Sequence, residues 1–134
     1  MVRLQKLLNY GARVISGRRK FDHISDVLKD LEWLTAKNRH QYHSLTLLKR
    51  ILANGQPETL YDSLVTRGDV HGRVTRQADQ LARPTIHTES GSRRFLYSAV
   101  TAYNALPQAL REMGPRLFPR NLRKHLLERQ NGGE

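Results

Sequence analysis

Near the N-terminus the apolar residues Leu4, Leu7, Leu8, Ala12 and Ile15 recur at steps of three and four, the rhythm of one side of a helix. The spacing predicts a helix over 2–16, with Gly11 on the apolar side where close packing has a use for it and Gly17 as the C-cap. On the opposite side Arg3, Lys6, Tyr10 and Arg13 stack along one stripe. A second helix follows, with Ser25 as its cap, Asp26 in the first turn, and Ile24, Val27, Leu28 and Leu31 as an apolar face that Trp33 and Leu34 extend. In a third, over 35–53, Leu45, Leu48 and Leu52 line one side and Arg39, His43, Thr46 and Arg50 another, until Asn54-Gly55 stops it. Pro57 suits the first turn of a short fourth helix whose Leu60, Tyr61 and Leu64 face inward.

From 67 to 94 the periodicity lapses, and Gly68, Gly72, Pro84 and Gly91 punctuate a basic loop. Thr85-Ile86-His87-Thr88 and Arg93-Arg94-Phe95-Leu96 are compatible with a small hairpin about Glu89-Ser90-Gly91. Helical patterns return over 95–103, 107–113 and 119–130, the last with Leu122, Leu126 and Leu127 on its apolar face. The expected class is therefore mainly α: a small helical bundle with a basic irregular loop and room for one short β-hairpin. A helical segment 1–66, a loop or linker 67–94 and a helical segment 95–134 make up one domain.

The 134 residues are one domain's worth of chain, and 38% hydrophobic content supports a modest core and no large catalytic cleft. Without Cys there is no disulfide framework, thiol nucleophile or Cys-ligated zinc, which fits a reducing compartment. MVRLQKLLNYGARV lacks the apolar run of a signal peptide, and no window approaches the roughly 18 apolar residues that span a bilayer.

Charge changes the picture most. The formal net charge is +11, and 17 of the 23 cationic side chains are Arg, whose planar fork grips phosphate oxygens bidentately. The excess is not uniform: residues 1–20 carry +6 with no acid, 21–34 carry −3 and 35–53 carry +4. Such alternation points to basic helix faces joined by acidic connectors, with RNA or DNA as the leading partner class and an anionic membrane second.

Catalytic constellations are not evident. Two-metal polymerase or nuclease chemistry needs clustered carboxylates, and the row Asp22, Asp26, Asp30 reads more simply as a solvated helix face. His40 and His43 lack a third ligand at a metal-site spacing, Asp69-Val70-His71 has no nucleophile motif beside it, and no Gly-rich phosphate loop occurs. No enzyme activity, metal or cofactor is expected of this chain.

Two blocks carry a resemblance. Leu4-Gln5, Asn9, Ala12-Arg13, Arg19-Lys20-Phe21-Asp22-His23-Ile24-Ser25, Val27-Leu28, Leu31 and Trp33-Leu34 form the first; Gly91, Arg93, Phe95, Ala99, Asn104, Leu106 and Pro107, followed by Leu117-Phe118, Leu122 and Leu126, form the second. Together they resemble the region downstream of the reverse transcriptase domain in non-LTR, LINE-type retrotransposon polyproteins of the jockey and chicken-repeat groups. Tyr103 stands where that family usually has Trp, and Ala36 where it often has Pro. The resemblance implies a C-terminal fragment of such an element, whose polymerase and endonuclease motifs would lie upstream, acting on template RNA or target DNA.

Most matched residues are explained by packing: Trp33 as a core anchor between the second and third helices, Phe95, Ala99 and Tyr103 as one buried face, and Asn104 as a cap for the turn that Pro107 opens. The cations remain. Arg3, Lys6, Arg13, Arg18, Arg19, Lys20, Arg39, Arg50, Arg73, Arg76, Arg93 and Arg94 are the candidate nucleic-acid-binding residues, with Tyr10 and Tyr42 as candidate base-stacking rings. A nucleic-acid-binding accessory segment, intracellular and either nuclear or cytoplasmic, is the leading expectation. A protein-docking module for the polymerase body, capable of self-association, and a degenerate element remnant stay open beside it.

Overall fold

A computed structural model describes residues 1–85, 87–92 and 94–132, Ser92 through its backbone alone. The described residues form nine helices: α1 (Val2–Ser16), α2 (Ser25–Asp30), α3 (Ala36–Asn54), α4 (Glu58–Tyr61), α5 (Arg67–His71), α6 (Glu89–Ser92), α7 (Phe95–Asn104), α8 (Gln108–Arg111) and α9 (Phe118–Gly132). The mainly helical class is as expected. They fall into two compact units, one of residues 1–42 and 120–134, the other of residues 43–119.

In the first unit α1 ends as its sequence dictates, with Gly17 left-handed at φ 69°. Ala12 is fully buried with Ile24 and Val27, and Leu28, Leu31 and Trp33 pack around them. A Cβ added at Gly11 would meet the Trp33 ring at 3.8 Å, so Trp33 also packs against α1. The start of α3 is held by side-chain amides. Gln5 Oε1 accepts the Ala36 N–H at 2.7 Å, while Gln130 Oε1 accepts from Thr35 N at 2.9 Å and Asn38 Nδ2 at 3.1 Å. Gln130 also donates to the Trp33 carbonyl at 3.1 Å, which ties α9 to the segment before α3. The cap of α2 is Ile24, without a side-chain bond, and Ser25 is already helical.

The core of the second unit is Leu45, Leu48, Ile51, Val100 and Phe118, with Leu81, Ala99, Tyr103, Leu106 and Leu110 around them. Among the described residues no hairpin appears over 85–96, of which Ile86 and Arg93 lie outside the described residues: Glu89–Ser92 is a helical turn in which the Thr88 hydroxyl accepts the Gly91 N–H at 3.0 Å. The segment expected to be an irregular loop also contains α5, closed by a capping box in which Thr66 and Asp69 bond each other's backbone N–H. The one β-type contact among the described residues is an isolated bridge, Thr66 to Leu81, flanked by Arg67 N to Gln80 O and Ala82 N to Val65 O, both 2.8 Å. Asn104 does not cap the turn at Pro107. Its amide clasps Leu81, accepting the backbone N–H at 3.0 Å and donating to the carbonyl at 2.8 Å. Tyr61, expected inside, is exposed, because only Leu60 and Leu64 of its segment turn inward.

Candidate nucleic-acid interface

On α1 the cation stripe is real only in part. Arg3 and Lys6 are exposed, and Tyr10 beside them is 66% exposed. Arg13 turns inward: its Nη2 donates to the Asp22 carbonyl at 3.3 Å and its Nε is buried without a partner. The apolar half of α1 is also less covered than expected. Leu8, Gly11 and Ala12 meet the unit, whereas Leu4, Leu7, Val14 and Ile15 stay exposed, because α2 offers only six residues to cover a fifteen-residue helix.

The turn after α1 uses several candidates structurally. Arg18 pairs with Asp26 and donates to the His23 carbonyl at 2.8 Å. At Asp26 burial raises the carboxyl pKa, but the backbone N–H of Val27 and the Arg18 guanidinium outweigh it and hold the pKa below its ordinary value. Asp22 accepts the Arg19 backbone N–H at 2.9 Å, so two members of the Asp22, Asp26, Asp30 row have structural partners. Arg19 and Lys20 keep exposed side chains, with the Lys20 ammonium 5.4 Å from the centroid of the outward-facing Phe21 ring. Arg39 is exposed in the same unit, and Tyr42 is partly buried.

The first unit also holds a cleft of about 620 Å³ beside α2 and α9 that the sequence reading did not single out. Lys29, Arg120, Arg123 and Lys124 line it, but so do Glu32 and Glu128, and Arg123 donates to the Glu32 carbonyl at 3.0 Å. Its charges are largely answered from within.

In the second unit Arg50, Arg73, Arg76 and Arg94 are exposed, and Arg93 lies outside the described residues. Three adjoining cavities form a furrow here. One of about 460 Å³ has Leu60, Phe95, Leu96 and Tyr97 with Arg94 and His87; it shares Pro84 and Tyr97 with a second of about 410 Å³. The second contains Arg67, His71 and Arg83, and shares the first two with a third of about 360 Å³ that reaches Arg73. Among the described residues no carboxylate lines any of the three. Within α5 the chain approaches its neighbour closely at Gly68, whose N–H donates to the Ala78 carbonyl at 3.1 Å and where a Cβ would press to 3.2 Å of that oxygen. Of its cations only Arg73 and Arg94 were anticipated; the capping-box pattern Thr66-Arg67-Gly68-Asp69 was the available signal that Arg67 and His71 share a helical turn.

The cations elsewhere in this unit contrast with those of the furrow. Arg111 is nearly enclosed and pairs with Asp79 at 2.9 Å. Lys49, whose burial holds its pKa below the ordinary lysine value, donates to the Arg111 carbonyl and lies over the rings of Tyr103 and Phe118 at 5.8 and 5.3 Å. Burial, joined by the charge of Asp79 and opposed by Arg111, raises the pKa of Tyr103. These groups serve the core.

Among the described residues no cluster of three His, Cys, Asp or Glu is placed to hold a metal ion, and no helix is long and apolar enough to cross a membrane. Comparison with family models, with curated proteins and with solved structures gave no match.

Proposed function

We propose that this chain is a nucleic-acid-binding accessory segment of a non-LTR retrotransposon reverse transcriptase, contacting RNA template or target DNA through Arg and Lys to phosphate, within the cell and without catalysis of its own. The observation that carries the reading is the availability of its cations: Arg3, Lys6, Arg39, Arg50, Arg73 and Arg76 are exposed and make no ion pair among the described residues. Guanidinium and ammonium groups left without carboxylate partners are suited to neutralise phosphates and release counterions. The retrotransposon assignment is supported by the two residue blocks alone.

Fluorescence anisotropy of a labelled oligonucleotide across a salt series is the test. Affinity should fall linearly with log salt, and six phosphate contacts would lose on the order of a thousandfold between about 50 and 200 mM. Arg3→Gln with Lys6→Gln should weaken binding to all sequences alike and make the slope shallower. Arg13 is kept intact in this variant because its side chain is engaged with the Asp22 carbonyl. Failure of the wild type to bind at about 50 mM salt, where phosphate contacts are strong, overturns the reading.

A second reading, a docking module for the polymerase body, is favoured by one feature: the apolar residues Leu4, Leu7, Val14 and Ile15 left exposed on α1. On that reading the same double variant leaves nucleic-acid affinity unmoved.

A further inference from the structure

We propose that the furrow of the second unit is a groove for single-stranded nucleic acid, with phosphates against Arg67, Arg73 and Arg83 and an unpaired base seated on Tyr97. This rests on the nucleic-acid reading above and names the form of polymer and the place.

The charge pattern is the first argument. Among the described residues Arg67, Arg73, Arg83 and Arg94 share a furrow with two histidines and no carboxylate, so an anion from outside would relieve their mutual repulsion. Arg67 is positioned without being neutralised, since its partner is the uncharged Gln77 amide oxygen. Elsewhere in the unit the chain has supplied a carboxylate, as Asp79 does for Arg111.

Shape and polarity give the second argument. The end of the furrow at Leu60, Phe95 and Tyr97 is a largely apolar cavity of about 460 Å³, inside the range of roughly 300–1,000 Å³ that encloses small planar ligands. A duplex presents phosphates but keeps its bases stacked inside, so it has nothing to place there. A single strand offers both phosphates for the arginines and a base face for Tyr97, and aromatic stacking accepts any base.

The test uses the full chain with labelled oligo(dT) and oligo(U) of about a dozen nucleotides, chosen to match the several-nucleotide sites of single-strand grooves, and a duplex of equal length. Single strands should bind at least about tenfold more tightly than duplex, and Tyr97→Leu should cost them about tenfold while leaving duplex affinity unchanged. Arg73→Gln with Arg83→Gln, both exposed positions, should likewise weaken single-strand binding by about tenfold. Because Tyr97 is partly buried, the wild type gives an independent readout: photo-crosslinks from bromouracil-substituted strands should map to Tyr97 or its cavity neighbours Arg83, Pro84 and Phe95. Crosslinks confined to α1, or a duplex bound as tightly as a single strand, overturn the groove while the broader reading stands. No binding to any of the three probes overturns both.

Discussion

Asn104 does for Leu81 what a neighbouring strand would do: one amide satisfies both the N–H and the C=O of a residue that is itself only 3% exposed. Truncating it orphans a donor and an acceptor at a buried site, at about 1–3 kcal/mol for each group. Asn104→Ala should therefore lower the midpoint of chemical denaturation; an unchanged midpoint would show that water replaces the clasp. At Asp69 the side chain's hydrogen bond with Thr66 is the largest effect, joined by the Thr66 backbone N–H, and together they outweigh burial to hold the carboxyl pKa below its ordinary 3.8. A carboxyl so depressed contributes stability above its unfolded value and loses it as pH falls through its lower folded value. The Asp69 carboxyl carbon should then titrate below about 3.8 by NMR, with the amide of residue 69 losing protection in the same acid window. Titration at or above the ordinary value would remove the capping box as a support of α5.

At the scale of elements, the long periodic helices were legible, and so were the short α2, α4 and α8, which an apolar face or a proline marks, whereas α5 and α6 were not. α1 has fifteen residues of regular patterning with a left-handed Gly17 at its end, and α3, α7 and α9 announce themselves through apolar spacing, so their bounds lie within two residues of expectation. α5 and α6 span five and four residues, too few for a period, and only their hydroxyl caps, Thr66 and Thr88, marked them. Burial on α1 was misjudged for a different reason: periodicity shows which side is apolar, not how much of it a neighbour can reach. Of the candidate cations, Arg3, Lys6, Arg39 and Arg50 lie exposed as expected, whereas Arg13 and Arg18 turned to nearby carbonyl and carboxylate oxygens that sequence spacing could not reveal. The exposed part of α1 makes a prediction of its own. With Leu7 at 66% and Val14 at 64% exposed, the chain should bind a hydrophobic dye or self-associate. Leu7→Gln with Val14→Gln should abolish that signal while changing unfolding free energy by no more than about 0.5 kcal/mol per site, as surface positions do. A large loss of stability would mean that these side chains are covered in solution.

On the scale of the whole molecule, a charge of +11 on 134 residues acts against folding and for binding at once. Crowding like charges on a folded surface costs free energy that salt screens over about 10 Å at 0.1 M, so the free chain should melt at a higher temperature as sodium chloride is raised. Binding to phosphate runs the other way, since added salt removes the counterion-release gain. A saturating oligonucleotide should thus raise the melting temperature strongly at low salt, by the mass-action term that any ligand of the folded state supplies, and the increment should shrink as salt climbs. The two curves, with and without nucleic acid, must converge. Calorimetry or near-ultraviolet dichroism, the latter reporting Trp33 in the first unit, measures both on the same sample series. Converging curves tie the basic excess to a polyanionic partner. Two parallel curves, with an increment indifferent to salt, would mean that the oligonucleotide is held by contacts other than phosphate neutralisation, and the role assigned to Arg3, Lys6 and the furrow arginines would fail with them.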